Sequence, residues 1–282
     1  MYVKIAVLTD STAYIPASIR DQWNVHMVPL NVSFGNESYR EEIDLTTDEF
    51  YEMIRDAKDL PKTSQPSIGA LTSIYEELAK DYDAVISIHL SSGISGTYQS
   101  AVAAGNMVED LEVYPYDSEI SAMAQGHYVL EAAAMAEQRA SVEEILARLD
   151  EMKQSIRAYF MVDDLSNLHR GGRLNGAQVL VGSMLQVKPL LHFVDKKIVP
   201  FEKIRTKKRA LNRIQDLFAK DADTGVPIKA TVIHAQRQQD AEKFKQELEA
   251  KYDNAEVSIS YFGPVIGTHL GEGAIGLAWY KK

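Results

Sequence analysis

Short apolar runs alternate with amphipathic stretches along most of the chain. Lys4–Thr9 is a compact apolar run, the pattern of a strand buried on both faces. Pro16–Gln22 reads as a short helix with proline near its start, where a missing N–H costs little. Val25–Val32 reads as the next strand. Thr46 and Glu49 have the spacing of a capping box and open a helix to about Ala57. Asp59–Ser67 is polar, holds two prolines and reads as a loop. Ile68–Lys80 places Ile68, Leu71, Ile74, Tyr75 and Leu78 on one helical face. A strand over Ala84–His89 runs straight into the loop SSGISGT, and a helix from Thr97 to about Val108 follows. Glu112–Tyr116 is a strand and Ala122–Glu137 an alanine-rich helix. Ser141 and Glu144 form a second capping box for a helix to about Arg157.

Beyond a strand at Tyr159–Val162 the texture changes. His169–Arg173 is glycine-rich and basic. Leu190–Phe193 and Ile198–Phe201 flank a turn at Asp195–Lys197 and read as a hairpin. Helices at Lys207–Lys220 and Ala241–Tyr252 alternate with strands at Ile228–His234, Val257–Tyr261 and Ala274–Trp279. The repeated strand–helix units of the first part imply a mainly parallel sheet with helices on both faces. The hairpin and later units imply a smaller, mixed α/β part. The expected architecture is α/β with two closely packed domains, 1–157 and 158–282.

Composition narrows the function. A formal net charge of −10 argues against a nucleic-acid partner, which needs a clustered positive surface. The chain has no cysteine, which excludes thiolate metal sites and a cysteine nucleophile. No apolar run approaches the ~18 residues that span a bilayer. The first residues, MYVKIAVLTDST, lack the pattern of a signal peptide. A soluble, cytoplasmic protein is therefore expected, and any lipid ligand would have to be carried inside it.

In open α/β sheets, ligands sit beyond the carboxyl ends of the strands. Asp10-Ser11-Thr12, Ser91–Thr97 and Asp117-Ser118 fall at such positions. Each alone could be a plain helix cap. The second is the most informative. Gly93 and Gly96 would let backbone approach a ligand, while Ser91, Ser92, Ser95 and Thr97 supply hydroxyls at a helix start, a combination that suits a carboxylate or phosphate. It is neither a P-loop nor a dinucleotide fingerprint. Thr63 and Ser64 could hold an anion from the other side. The glycine-rich run Gly263–Gly273 contains His269, which could donate a hydrogen bond or proton. Arg170, Arg173, Lys203, Arg205, Lys207, Lys208 and Arg209 form a basic group that suggests an anionic partner or phosphate, or else a solvated helix end. The histidines show no His-x-x-x-His pair, so no metal site is expected. Gly-Ile-Ser-Gly falls one residue short of a nucleophile elbow.

Taken together, the segments TDST (Thr9–Thr12), KTSQPS (Lys62–Ser67), SSGISGTYQSA (Ser91–Ala101), DS (Asp117-Ser118), HRGGR (His169–Arg173), KP (Lys188-Pro189), RTKKRA (Arg205–Ala210) and GPVIGTHLGEGAIG (Gly263–Gly276) make the chain resemble the DegV family of bacterial fatty-acid-binding proteins. The resemblance implies one long-chain fatty acid buried between two α/β domains, with no other cofactor. It places the carboxylate on Thr63 and Ser95 with His269 nearby. It further implies a carrier subunit of a fatty-acid kinase in phospholipid metabolism, catalytically silent alone, whose separate ATP-binding subunit phosphorylates the bound acid. Arg205 then matches an arginine of that exchange. The rival readings are a fatty-acid sensor or transport protein, and a stand-alone hydrolase or phosphotransferase using Ser95 and His269.

Overall fold

The computed structural model describes residues 3–57, 59–175 and 188–282. Along the chain come β1 (Ile5–Asp10), α1 (Ala17–Gln22), β2 (Val25–Val28), β3 (Asn31–Phe34), β4 (Glu37–Arg40), α2 (Thr47–Asp56), β5 (Lys62–Ser64), α3 (Ile68–Leu78), β6 (Ala84–His89) and α4 (Thr97–Gly105). Next are β7 (Glu112–Asp117), α5 (Met123–Glu137), α6 (Val142–Ser155), β8 (Arg157–Met161) and α7 (Ser166–Arg170). The rest is β9 (Lys188–Val194), β10 (Lys197–Ile204), α8 (Lys207–Ala222), β11 (Ile228–His234), α9 (Gln238–Glu249), β12 (Ala255–Tyr261), α10 (Pro264–Leu270) and β13 (Ile275–Lys281).

The expected α/β architecture is present. β2-β1-β6-β7 form a parallel sheet. β10-β9-β8-β13-β11-β12 form a mixed sheet in which only β11 and β12 run parallel. The later part is shorter in chain yet carries the wider sheet. Both capping boxes form, at Thr46/Glu49 and Ser141/Glu144. Among the described residues no helix is long and apolar enough to cross a membrane.

Helix α5 explains its own composition. Residues Met123–Val129 are all buried, and its small side chains pack in one core with the faces of both sheets, through Ile86 and Ile88 on one side and Ala278 and Tyr280 on the other. A helix whose first two turns are buried all round shows no amphipathic pattern there, and alanine keeps it slim enough to fit. Helices α3 and α4 cover the outer face of the parallel sheet, and α8 and α9 the outer face of the mixed one.

Two local expectations are corrected, and one unassigned segment gains an element. Val25–Val32 is not one strand. Pro29 has no N–H for the ladder, and the chain leaves β2 there, with the Leu30 amide donating to Ser11 Oγ at 3.1 Å. β3 then joins a separate antiparallel sheet, β4-β3-β5. The polar stretch Asp59–Ser67 is not all loop, because β5 pairs Thr63 with Val32. The glycine-rich run near the C-terminus contains a helix, α10, with Pro264 in its first turn. Its glycines serve packing. A Cβ at Gly263 would lie 2.4 Å from the Tyr14 ring, and one at Gly267 2.6 Å from the Tyr51 hydroxyl.

Two buried carboxyl groups fix the strand ends. Asp10 accepts from the Leu90 amide (2.9 Å), Thr12 Oγ1 (2.6 Å) and Gln125 Nε2 (3.2 Å) and contacts His89 Nδ1 (3.1 Å). Burial alone would raise its pKa, but these partners hold it below the ordinary value. His89 Nε2 meets Ser87 Oγ at 2.7 Å, so Ser87, His89 and Asp10 line up like a hydrolytic triad. All three are sealed from solvent, and Ser87 is also tied to Tyr75. The set is a structural strut for the SSG loop. Glu41 is the other strut. It joins Ser11 and Tyr14 to the Val265 amide at the start of α10.

Replacing Asp10 by alanine strands several buried donors and should cost about 3 kcal/mol or more, read from urea unfolding. Glu41 gives a pH-dependent counterpart. Burial lifts its pKa to about 8 against hydrogen bonds from Ser11, Val265 and Tyr14. Between the unfolded value of 4.5 and about 8 the native state therefore holds the extra proton, and stability falls as pH rises through that window. Between about pH 5 and pH 8 the wild type should lose roughly 4 kcal/mol relative to Glu41→Gln. Parallel pH profiles for the two proteins would contradict this.

Candidate functional site

The three polar segments at strand ends do different work. Asp10 and Ser11 spend their side chains on the struts just described. Asp117 accepts from the Ser92 amide (3.1 Å), Ser92 Oγ (2.5 Å), the Glu119 amide (3.0 Å) and Lys196 Nζ (3.0 Å). These bonds pin the SSG loop to the β9–β10 turn. In that turn Asp195 and Lys196 both have positive φ, as a two-residue type I′ hairpin requires. Ser91 Oγ donates to the Lys196 carbonyl at 2.7 Å, and a Cβ at Gly93 would come within 2.2 Å of that same oxygen. Of the expected anion cradle, Ser92 and Gly93 thus pack against protein, and neither they nor the buried Thr97 line the cavity described next.

The remaining residues converge. A cavity of about 290 Å³ lies between the two sheets, lined by Thr63, Ser64, Gln65, Ser95, Gly96, Arg173 and His269 at its polar end. Its other walls are mostly apolar, with Leu30, Leu90, Phe160, Phe193, Phe262 and Ile266 among them. Both parts of the chain contribute, so neither could form the cavity alone.

The polar end is cross-braced. Thr63 Oγ1 and His269 Nε2 are 2.9 Å apart. His269 lies in the last turn of α10, and a Cβ at Gly171 would come 2.4 Å from its Nδ1. Gly171 of the HRGGR segment therefore lets the imidazole close against the end of α7. Burial, with the Arg173 charge adding to it, pushes the His269 pKa down to about 4, so the ring is neutral near pH 7. Arg173 supplies the positive charge instead. Its Nε donates to the Ile94 carbonyl (3.1 Å) and its Nη1 to the Gly171 carbonyl (2.6 Å). Ser95 Oγ sits 2.9 Å from Thr97 Oγ1 and accepts from the Thr97 amide at 3.3 Å, where α4 begins.

A wider basin of about 740 Å³ adjoins this end and shares Thr63, Arg173 and His269 with the cavity. Lys62 and Arg170 line the basin. Arg205 is exposed just before α8 and lines neither space. Gln65 emerges as a site residue that sequence reasoning passed over. Its Nε2 donates to Ser100 Oγ at 2.7 Å, and its Oε1 occupies the space a Cβ at Gly96 would need. Its place in KTSQPS was the available signal. Among the hydrogen bonds of the described residues, His269 Nε2 engages Thr63, not Ser95. A nucleophile–base pair of Ser95 and His269 is thus not formed.

Comparison with known proteins gives four findings. The family model described as "Uncharacterised protein, DegV family" matches residues 4–282. Protein DegV of Bacillus subtilis is 59% identical over 281 residues, covering 99% of this chain and 100% of its own. Among solved structures, that of DegV, a fatty acid binding protein from Bacillus subtilis, superimposes with a TM-score of 0.95 at 58% identity, covering 99% of this chain and 100% of the other. A DegV family protein from Thermus thermophilus, described for its fatty acid binding, gives a TM-score of 0.91 at 31% identity, with 99% and 100% covered.

Proposed function

The chain belongs to the DegV family, and on that premise we propose that it binds one long-chain fatty acid in the cavity between its two domains and presents the carboxylate for phosphorylation. The observation that carries this reading is the polarity of the cavity. Its lining is mostly apolar, and Thr63, Ser95, Arg173 and His269 come together at its polar end. The division of the chain at residue 157 into two domains belongs to the same proposal, since the cavity is their junction.

The chemistry follows from the ligand's opposed needs. Each buried methylene contributes about 0.8 kcal/mol. The carboxylate cannot be buried without partners. Thr63 and Ser95 each donate an O–H to it, and Arg173 offsets its charge. His269, neutral, donates from Nε2 to Thr63 Oγ1, which turns the Thr63 proton towards the carboxylate. The outer basin leaves one carboxylate oxygen within reach of a phosphoryl donor, and Lys62 and Arg170 suit the donor's negative charge.

In the phosphorylation step a carboxylate oxygen attacks the γ-phosphorus of ATP held by a separate kinase subunit. An acyl-phosphate forms and ADP leaves. The partner supplies nucleotide and catalysis, which accords with a chain that has no nucleotide fingerprint. Arg205, exposed beside α8, is suited to contact that subunit, and the exchange takes place in the cytoplasm, where ATP is available.

Thr63→Ala and Ser95→Ala should each weaken fatty-acid binding by about tenfold to a hundredfold, the value of a hydrogen bond to a charged group. Mass spectrometry of lipid extracted from the purified variants would read this as reduced occupancy. Unchanged fatty-acid content in both would sink the carboxylate assignment. Arg205→Ala should keep full occupancy but slow acyl-phosphate formation with the kinase subunit present. A wild-type chain that fills with lipid yet is never phosphorylated would instead favour a sensor or transporter.

A further inference from the structure

A second hollow, of about 340 Å³, lies against the acyl cavity. Ala158, Tyr159 and Phe193 line both spaces. The outer basin at Thr63 and His269 shares no residue with this hollow. The two therefore meet the acyl cavity at different places, the basin where the carboxylate sits and the hollow elsewhere along the wall. One of the shared wall residues, Ala158, has a side chain of a single methyl.

The hollow is polar, unlike the cavity it adjoins. Lys153, Arg157, Lys196, Glu119 and His192 face it. Most of its charged groups already have partners. Lys153 Nζ lies 3.3 Å from Glu119, Lys196 Nζ lies 3.0 Å from Asp117, and Arg157 donates to the Gln154 and Ile156 carbonyls. Tyr128 does not. It lines the hollow from α5 and is fully buried, and its hydroxyl has no hydrogen-bond partner among the described residues. The charges that act on the hydroxyl are those of Glu119, Asp150 and Arg157, two of which line the hollow. A buried hydroxyl left unpaired costs about 1–3 kcal/mol, and phenylalanine would fill the same space without that cost. The hydroxyl has no acceptor within the described protein, and a ligand oxygen would reach it with a small movement of the hollow's wall.

We propose that this hollow is a polar subsite for the far end of the acyl chain, which takes fatty acids bearing an oxygen function, a hydroxyl or a second carboxylate, at or near the terminus. The inference rests on the fatty-acid reading above. With the carboxylate held at Thr63 and Ser95, a tail of suitable length passes Ala158 and Phe193 and delivers its terminal oxygen to the Tyr128 O–H. A terminal carboxylate would also meet Lys153 and Arg157. A methyl terminus would leave Tyr128 unpaired.

The test is competition for the delipidated full chain. Equimolar palmitate, ω-hydroxypalmitate and the matching dicarboxylate, and then the same three at other chain lengths, are offered together, and the retained acids are quantified by mass spectrometry. The wild type should retain an ω-oxygenated acid over its plain counterpart by about tenfold at the length that reaches the subsite, the worth of one satisfied hydrogen bond. Which oxygenated acid wins separates hydroxyl from carboxylate recognition. Tyr128→Phe should abolish the preference and leave palmitate uptake unchanged. Ala158→Leu, which narrows the shared wall, should abolish it independently. Equal retention of plain and oxygenated acids by the wild type at every length would overturn the subsite, as would a Tyr128→Phe variant that weakens all acids alike. A wild type that takes up none of the acids would overturn the fatty-acid reading itself.

Discussion

The contact between the Thr63 hydroxyl and the His269 imidazole closes the polar end of the cavity across the two halves of the molecule. Thr63 is on β5 of the small sheet that extends the first half, and His269 is on α10 of the second. A bond 206 residues apart in sequence can be short only if everything beneath it is fixed. Glu41 does much of that fixing, because it ties the small sheet's end to the turn after β1 and to the first turn of α10. Asp10 does the same for the SSG loop through the Leu90 amide. The site is thus assembled from short irregular segments, two of which, the SSG loop and α10, are held by buried carboxyl groups.

Its electrostatics divide the labour. The imidazole is kept neutral by burial and by the Arg173 charge beside it, so it orients without adding a charge of its own. The guanidinium is itself held by two carbonyls, one from each half. Cation and donors are therefore placed before any anion arrives, which reduces the cost of ordering them on binding. Beyond them the wall is mostly apolar, and the hollow behind Ala158 and Phe193 is polar again.

The regular elements were legible because their patterns are local. Apolar runs marked β1 and β6, and Thr46/Glu49 and Ser141/Glu144 marked the starts of α2 and α6. Short β3 and β5 were not legible, since three or four residues show no period and their pairing is tertiary. Helix α10 was hidden by glycines that suggest a loop but answer to the Tyr14 and Tyr51 rings. Thr63, Ser95 and His269 could be named from motifs, and the fold brings them to one cavity. Ser92 and Gly93 share the motif with Ser95 but serve the hairpin turn, a distinction that depends on where Lys196 lies. The apolar walls come from strands and helices far apart in sequence, and no local pattern marks them.

The most direct measurement of the central claim is the ionisation of a bound fatty acid labelled with carbon-13 at its carboxyl group, followed by NMR as pH is lowered. Held by Arg173 and two hydroxyls, the bound carboxylate should give a single resonance that stays in its ionised position well below the pKa of the free acid. A bound resonance that titrates at or above the free value would mean that the carboxyl group lies away from these donors, and would contradict the account.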